Sequence, residues 1–276
     1  MLTPTADIVD AARGARRGVG AFNVIQLEHA EAIVAGAEKA GTPVVLQISE
    51  NAVRYHGSLE PLGRATLAVA RASSAEVAVH LDHATDVSLV RQAVQLGFGS
   101  VMYDASVLPY QDNVAATAAV VRECHEHGVY VEAELGEVGG KDGVHAPGVR
   151  TDPAEAAAYV AATGVDALAV AVGTSHAMLT RDATVDFGLI ERLAAAVPVP
   201  LVLHGSSGVP DDDLRRAVSA GMTKVNIATQ LNKSFTAAVR DFLAANPSAV
   251  DTRKYLGVGR DAVAGEVARL LGILAG

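Results

Sequence analysis

Three histidines stand where short apolar runs give way to loops: His83 in HLDHA, His176 in GTSHAML and His204 in LVLHGSSG. Each follows residues rich in Val, Leu or Ala and precedes a helix-like stretch, which places each at the end of a strand. In a parallel α/β protein those ends share one face, and histidines far apart in sequence meet there. Three imidazoles on one face can bind a divalent metal and leave a coordination position open, as catalytic zinc sites do. The other strand ends add Asn23, Gln47, Ser49, Asp82, Asp104, Glu134, Asn226 and Thr229. Alternation along HLDHA puts His80 and Asp82 on one strand face and leaves His83 at the turn, so two neighbours both reach the site. His80 reads as a buried residue behind the ligands, and His29, His56 and His145 read as surface or loop residues. In Cys124-His125-Glu126-His127 the two histidines diverge on a helix, so that run reads as an ordinary helix end.

Positioning such a set takes a repeated scaffold, and the chain supplies one. Eight short β-branched runs (20–24, 43–48, 77–81, 100–103, 129–135, 167–172, 201–204 and 224–227) alternate with eight longer Ala- and Leu-rich runs (27–40, 59–72, 87–96, 113–127, 153–163, 187–196, 211–220 and 230–245). Gly41, Gly97, Gly128, Gly164 and Gly221 close helices where a left-handed cap is expected before a strand. Strict alternation of this kind predicts a parallel sheet, and eight units predict closure into a (β/α)8 TIM barrel. A doubly wound dinucleotide fold is the weaker reading, because the GVG near the first strand is not a GxGxxG opening a helix. No Pro- or Ser-rich linker divides residues 1–276, which read as a single barrel domain. An additional C-terminal helix, with Val263, Val267, Leu270, Leu271 and Leu274 at helical spacing, is expected to pack on the barrel or on a neighbouring subunit.

Composition narrows the classes of function. Half of the 276 residues are hydrophobic and 19% are charged, enough apolar surface for a large core. A formal charge of −9 without clustered Lys and Arg argues against nucleic acid, so an anionic substrate has to be held locally. Gly205, Ser206, Ser207 and Gly208, followed by Pro210 and three aspartates, read as a turn into a helix whose backbone N–H groups can approach a phosphate. The single cysteine, Cys124, suits a reducing cytoplasm. The first residues lack the apolar stretch of a signal peptide, and no run is long enough to span a membrane.

In order and at family-like spacing, the chain carries AFNV, HLDHA, MYDAS, VEAELGEVGG, AVGTSHAM, VPLVLHGSSGVPDDDL and KVNIATQL. Over nearly its whole length it thereby resembles the class II, metal-dependent fructose-bisphosphate and tagatose-bisphosphate aldolases. The resemblance implies that His83, His176 and His204 bind zinc and that Asp82 is the acid/base at the carbon–carbon bond. It implies that Asp104 and Glu134 match positions that can hold a second or displaced metal; they could equally orient the histidines. It implies that backbone at Ala177, Gly205, Ser206, Ser207, Asn226, Ile227, Ala228 and Thr229 holds dihydroxyacetone phosphate, with Asn23 and Ser49 lining the same site and a monovalent cation (Na+ or K+) near the phosphate. A homodimer or homotetramer in the cytoplasm, with no nucleic-acid or membrane partner, completes the expectation.

Elementary chemistry agrees with this reading. Retro-aldol cleavage leaves a carbanion beside a ketone, and a Lewis acid on the ketone oxygen stabilises it in place of a Schiff-base lysine. Two positions depart from the family. Ala177 stands where relatives have Gly, and in GGKDGVHAPG Asp142 stands where many relatives carry a proton-moving Glu. Asp142 is therefore either a catalytic carboxylate or a turn residue before Gly143. Arg253, Lys254 and Arg260 are either solvated charges or, by analogy, a grip on the distal phosphate in a partner's site. A tagatose bisphosphate, another ketose phosphate or a non-catalytic supporting subunit remain alternatives. A serine hydrolase is set aside, because Val209 stands where a nucleophile elbow centred on Ser207 needs Gly.

Overall fold

A computed structural model describes residues 1–135, 150–175 and 178–276. Eight parallel strands close in sequence order into a barrel: β1 (Val19–Asn23), β2 (Val44–Ser49), β3 (Val77–Ala84), β4 (Ser100–Tyr103), β5 (Tyr130–Leu135), β6 (Ala167–Val170), β7 (Leu201–Leu203) and β8 (Met222–Ile227). The described helices are α1 (Thr5–Gly14), α2 (Leu27–Ala40), α3 (Glu50–His56), α4 (Glu60–Ala72), α5 (Val87–Leu96), α6 (Tyr110–His125), α7 (Pro153–Thr163), α8 (Phe187–Ala196), α9 (Asp211–Ala220), α10 (Thr229–Ala245) and α11 (Thr252–Leu274). The expected (β/α)8 barrel with an added C-terminal helix is thus what the chain forms.

The strands read as near-continuous apolar runs because a parallel barrel buries both of their faces. Outward residues such as Phe22, Leu46, Leu81, Val131 and Leu203 join the helices in one large core. Inward residues alternate with them. Val19, Ala21, Val45 and Ala78 form a small apolar cluster with Ile8 of α1, and Tyr130, Ala167, Ala169 and Val202 form another beside Ala6. α1 therefore plugs the bottom of the barrel, and Thr5 Oγ1 donates to Ser100 Oγ at 2.7 Å beneath it. Pairing around the ring is uneven, with six aligned positions between β2 and β3 but two between β6 and β7.

Local chemistry starts and stops the helices. Ser49, Asp86, Asp152, Asp186 and Asp251 accept backbone N–H bonds at the starts of α3, α5, α7, α8 and α11. All five glycines expected to close helices have positive φ. α11 lies on α2, where a Cβ on Gly36 would meet Val267 at 2.7 Å. The five apolar positions foreseen in this helix are all buried.

Three expectations need correction. α1 and α3 were not foreseen; both lie outside the eight-unit repeat, and α3 is only seven residues long. His29 is not a surface residue: it is 4% exposed and its ring packs edge-on against Phe235. β3 does not stop at Leu81 but runs to Ala84, with a register shift against β4. Among the described residues, no helix is long and apolar enough to cross a membrane.

Candidate active site

Alternation along the strands carries the polar inward residues to the C-terminal mouth of the barrel. β3 delivers Asp82, β4 leads into Asp104, β5 delivers Glu134, β7 leads into His204, and β8 delivers Asn226. His83 breaks the alternation, and its backbone is the reason: φ is 52°, the left-handed region that a non-glycine residue rarely occupies. That twist turns the histidine inward beside Asp82 instead of outward into the helices.

The buried groups form a connected network. His83 Nδ1 lies 2.9 Å from Asp104 Oδ2, and the other Asp104 oxygen accepts from Ser106 N at 3.2 Å and from Ser106 Oγ at 2.6 Å. His204 is fully buried, with Nδ1 2.9 Å from Glu134 Oε2 and Nε2 3.0 Å from Glu132 Oε1. The two imidazoles meet edge to face with centroids 4.6 Å apart. Burial opposes charge on His204, but its hydrogen bonds to Glu132 and Glu134 outweigh burial and raise its pKa to about 9. Burial would raise the pKa of Asp82, yet the positive charge of His83, His204 and Lys224 holds it below its ordinary value. His80, unlike His204, has its pKa lowered, to about 3, by burial and then by Lys224. It bonds Ser100 Oγ at 2.8 Å behind the site, as its buried reading foresaw.

One ligand atom from each of Asp82, His83 and His204 lies within 4.8 Å of the others, and the same holds for His83, Asp104 and Glu134. A mixed set of imidazole nitrogens and carboxylate oxygens suits a divalent ion such as zinc. The residues present therefore fit a metal, although His204 can ligate only by giving up one of its two carboxylate bonds. Asp104 and Glu134 each contact a histidine ring, the arrangement by which carboxylates orient ligands. His176, Ala177 and Asp142 lie outside the described residues, as do His145 and Gly143.

Above this floor opens a cavity of about 480 Å3. Asn23, Ser49, Asp82, His83, Gly205, Ser206, Ser207, Asn226, Ala228 and Thr229 all line it, so most of the expected substrate contacts share one space. Ile227 does not: its side chain points into the outer core, leaving only its backbone to contribute. Gly205 has φ 66°, and a Cβ there would meet the Ser175 carbonyl at 2.6 Å, so only glycine fits this turn. Ser207 Oγ accepts from Gln230 N at 3.3 Å, tying the turn to the first turn of α10. N–H groups at that helix start favour an anion.

Sequence reasoning missed the wall made by α3. Glu50 accepts from Thr85 N at 2.6 Å and pairs with Arg54, which is the only lysine or arginine among the described residues lining the cavity. It also missed Glu132 and Lys224. Both sit two residues before an expected site residue, on the same inward face, so the signal was present in the alternation.

A closed parallel barrel that gathers two histidines and several buried carboxylates at the C-terminal ends of its strands, beside an open cavity, defines a barrel enzyme with a metal-competent site. The sequence pattern described as Fructose-bisphosphate aldolase class-II matches residues 3–275. The chain belongs to this family of aldolase lyases. It is 40% identical over 270 residues to a probable fructose-bisphosphate aldolase of Bacillus subtilis, covering 95% of this chain and 93% of that one. It is 41% identical over 258 residues to a fructose-bisphosphate aldolase of Geobacillus stearothermophilus, covering 92% and 90%. The crystal structure of the YdjI aldolase from Escherichia coli superposes with a TM-score of 0.89 at 30% identity, covering 99% of this chain and 97% of that one.

Proposed function

We propose that this protein is a zinc-dependent aldolase that reversibly cleaves fructose 1,6-bisphosphate into dihydroxyacetone phosphate and glyceraldehyde 3-phosphate. The observation that carries the reading is Asp82, buried and bonded to Asn226 in a cavity it shares with His83 and the Gly205 turn, in a family of aldolases. In the cleavage direction Asp82 accepts the proton of the C4 hydroxyl as the C3–C4 bond breaks and the aldehyde forms. The bonding electrons pass to C3 and on to the C2 carbonyl oxygen, and a second acid returns a proton to C3. Asp142 is the candidate for that second role. A zinc ion held by His83, His176 and His204 would stabilise the negative charge developing beside the ketone. Backbone N–H groups at Gly205, Ser206 and Ser207 and at the start of α10 hold one phosphate. Arg54, anchored by Glu50, faces the same cavity and supplies positive charge for the other.

Residues 1–276 act in this reading as one catalytic barrel domain in the cytoplasm, in sugar breakdown. The assembly is a homodimer or homotetramer, and a monovalent cation sits beside the phosphate turn. The sole cysteine, Cys124, is buried and free, which suits a reducing compartment. Metal analysis combined with a retro-aldol assay on the fructose and tagatose bisphosphates, with and without chelator, tests the proposal. One zinc per chain, faster cleavage of the fructose epimer and loss of activity on chelation are expected. Full activity in metal-free protein overturns the zinc assignment, and absence of cleavage of either epimer overturns the aldolase reading.

A further inference from the structure

One layer beneath Asp82 the barrel holds a fully buried ion pair. Lys224 is 1% exposed and Glu132 is 0% exposed, and Lys224 Nζ lies 2.8 Å from Glu132 Oε2. The same ammonium donates to Asn226 Oδ1 at 2.8 Å. An ammonium has no lone pair, so the atom of Asn226 that faces it has to be the oxygen. The amide orientation, usually ambiguous between two near-isosteric states, is thereby fixed. Its NH2 is turned the other way, where Nδ2 donates to Asp82 Oδ1 at 3.3 Å. The opposite orientation would set the amide oxygen against the Asp82 carboxylate and the NH2 against the ammonium, acceptor on acceptor and donor on donor.

Stability alone gives no reason for this pair. Exchanging a buried ion pair for apolar side chains of similar volume is often neutral or stabilising, because desolvation offsets the attraction. What an apolar pair cannot do is select one face of Asn226. We propose that Lys224 is a positioning residue for carbon–carbon cleavage: it locks Asn226 as a donor to one oxygen of Asp82, leaving the other oxygen for the substrate's proton. This rests on the aldolase reading above. Glu132 is the counter-ion that lets the lysine be buried, and through His204 it ties the same layer to the metal-competent cluster.

The test is a mutational cycle in the metal-loaded enzyme. Two neutralised pairs are made, Lys224→Met with Glu132→Gln, and Lys224→Gln with Glu132→Gln. The second keeps the two side chains hydrogen-bonded but lets Asn226 face either way. Each is measured alone and combined with Asn226→Ala, reading metal content, melting temperature, kcat and KM. In the folded pair variants kcat is expected to fall about tenfold or more, within the range for disturbing an acid/base, while KM and metal content stay within about threefold. In the Asn226→Ala background the same pair substitution is expected to change kcat by less than about twofold, because its target is gone. A purely structural pair would instead move the melting temperature and leave kcat of the folded protein unchanged. The proposal is overturned by kcat within about twofold of wild type in a folded pair variant, or by an equal loss with and without Asn226. It is also overturned by wild-type kcat in Asn226→Ala alone, a single truncation that leaves the ion pair intact. Absence of cleavage by the wild-type enzyme would be seen before any variant is made, and would sink the aldolase reading instead.

Discussion

Asp82 and His83 are adjacent in sequence, and a regular strand would point them to opposite faces. The left-handed backbone at His83 brings both into the cavity, so the proposed proton-transfer group and a metal-competent group come from one dipeptide. The roles separate on substitution. Asp82→Asn is nearly isosteric and cannot take a proton, so kcat for cleavage is expected to fall at least about a hundredfold with metal content unchanged. A loss under about threefold in a pre-steady-state cleavage assay would assign the proton to another group. In the proposed reaction Arg54 would govern binding rather than bond breaking. Its side chain is 63% exposed, so water screens part of its charge and its phosphate contact is weaker than a buried one. Arg54→Ala is expected to raise KM for fructose 1,6-bisphosphate about tenfold while changing KM for fructose 1-phosphate by less than about threefold. Equal shifts for the two substrates would remove Arg54 from the second phosphate.

Among the elements, what repeats was legible and what occurs once was not. The runs forecast at 27–40, 87–96, 153–163, 187–196 and 211–220 match α2, α5, α7, α8 and α9 residue for residue, because a cap residue or a closing glycine marks most of their ends. α1 breaks no repeat and carries Arg and Asp among its alanines, so its plug role appears only when Ile8 is seen inside the barrel. α3 has seven residues, too few for a helical apolar period, and its one cue was Ser49 as a cap. The site was legible as strand ends but not as depth, which is why Glu132 and Lys224 escaped. His176, Ala177 and Asp142 were named from the sequence and lie outside the described residues, so the trio's third member rests on the family resemblance. The turn at Gly205 was legible as glycine, and its geometry sharpens the expectation. Gly205→Ala forces both a positive φ and a clash with Ser175, so it should raise KM for dihydroxyacetone phosphate in the condensation direction by about tenfold or more. Unchanged KM in a folded variant would take the phosphate away from this turn.

At the scale of the whole molecule, the barrel is a ring of staves without an edge strand, so no unpaired ladder invites another chain to add to it. A ring, however, parts first at its thinnest joint. β6 and β7 share two aligned positions and β7 is three residues long, whereas β2 and β3 share six. Cooperative units open with free energies that follow their local hydrogen bonding and packing. Amide hydrogen–deuterium exchange in β7 and at the start of β6 should therefore outpace exchange in β2 and β3 by about tenfold or more under native conditions. Uniform protection around the ring would contradict this. The thin joint carries His204, while the thick one carries Asp82. Transient parting of that seam would draw His204 away from Glu134 and Lys224 away from Glu132 together, so a route for metal exchange there would also loosen the hold of Asn226 on Asp82.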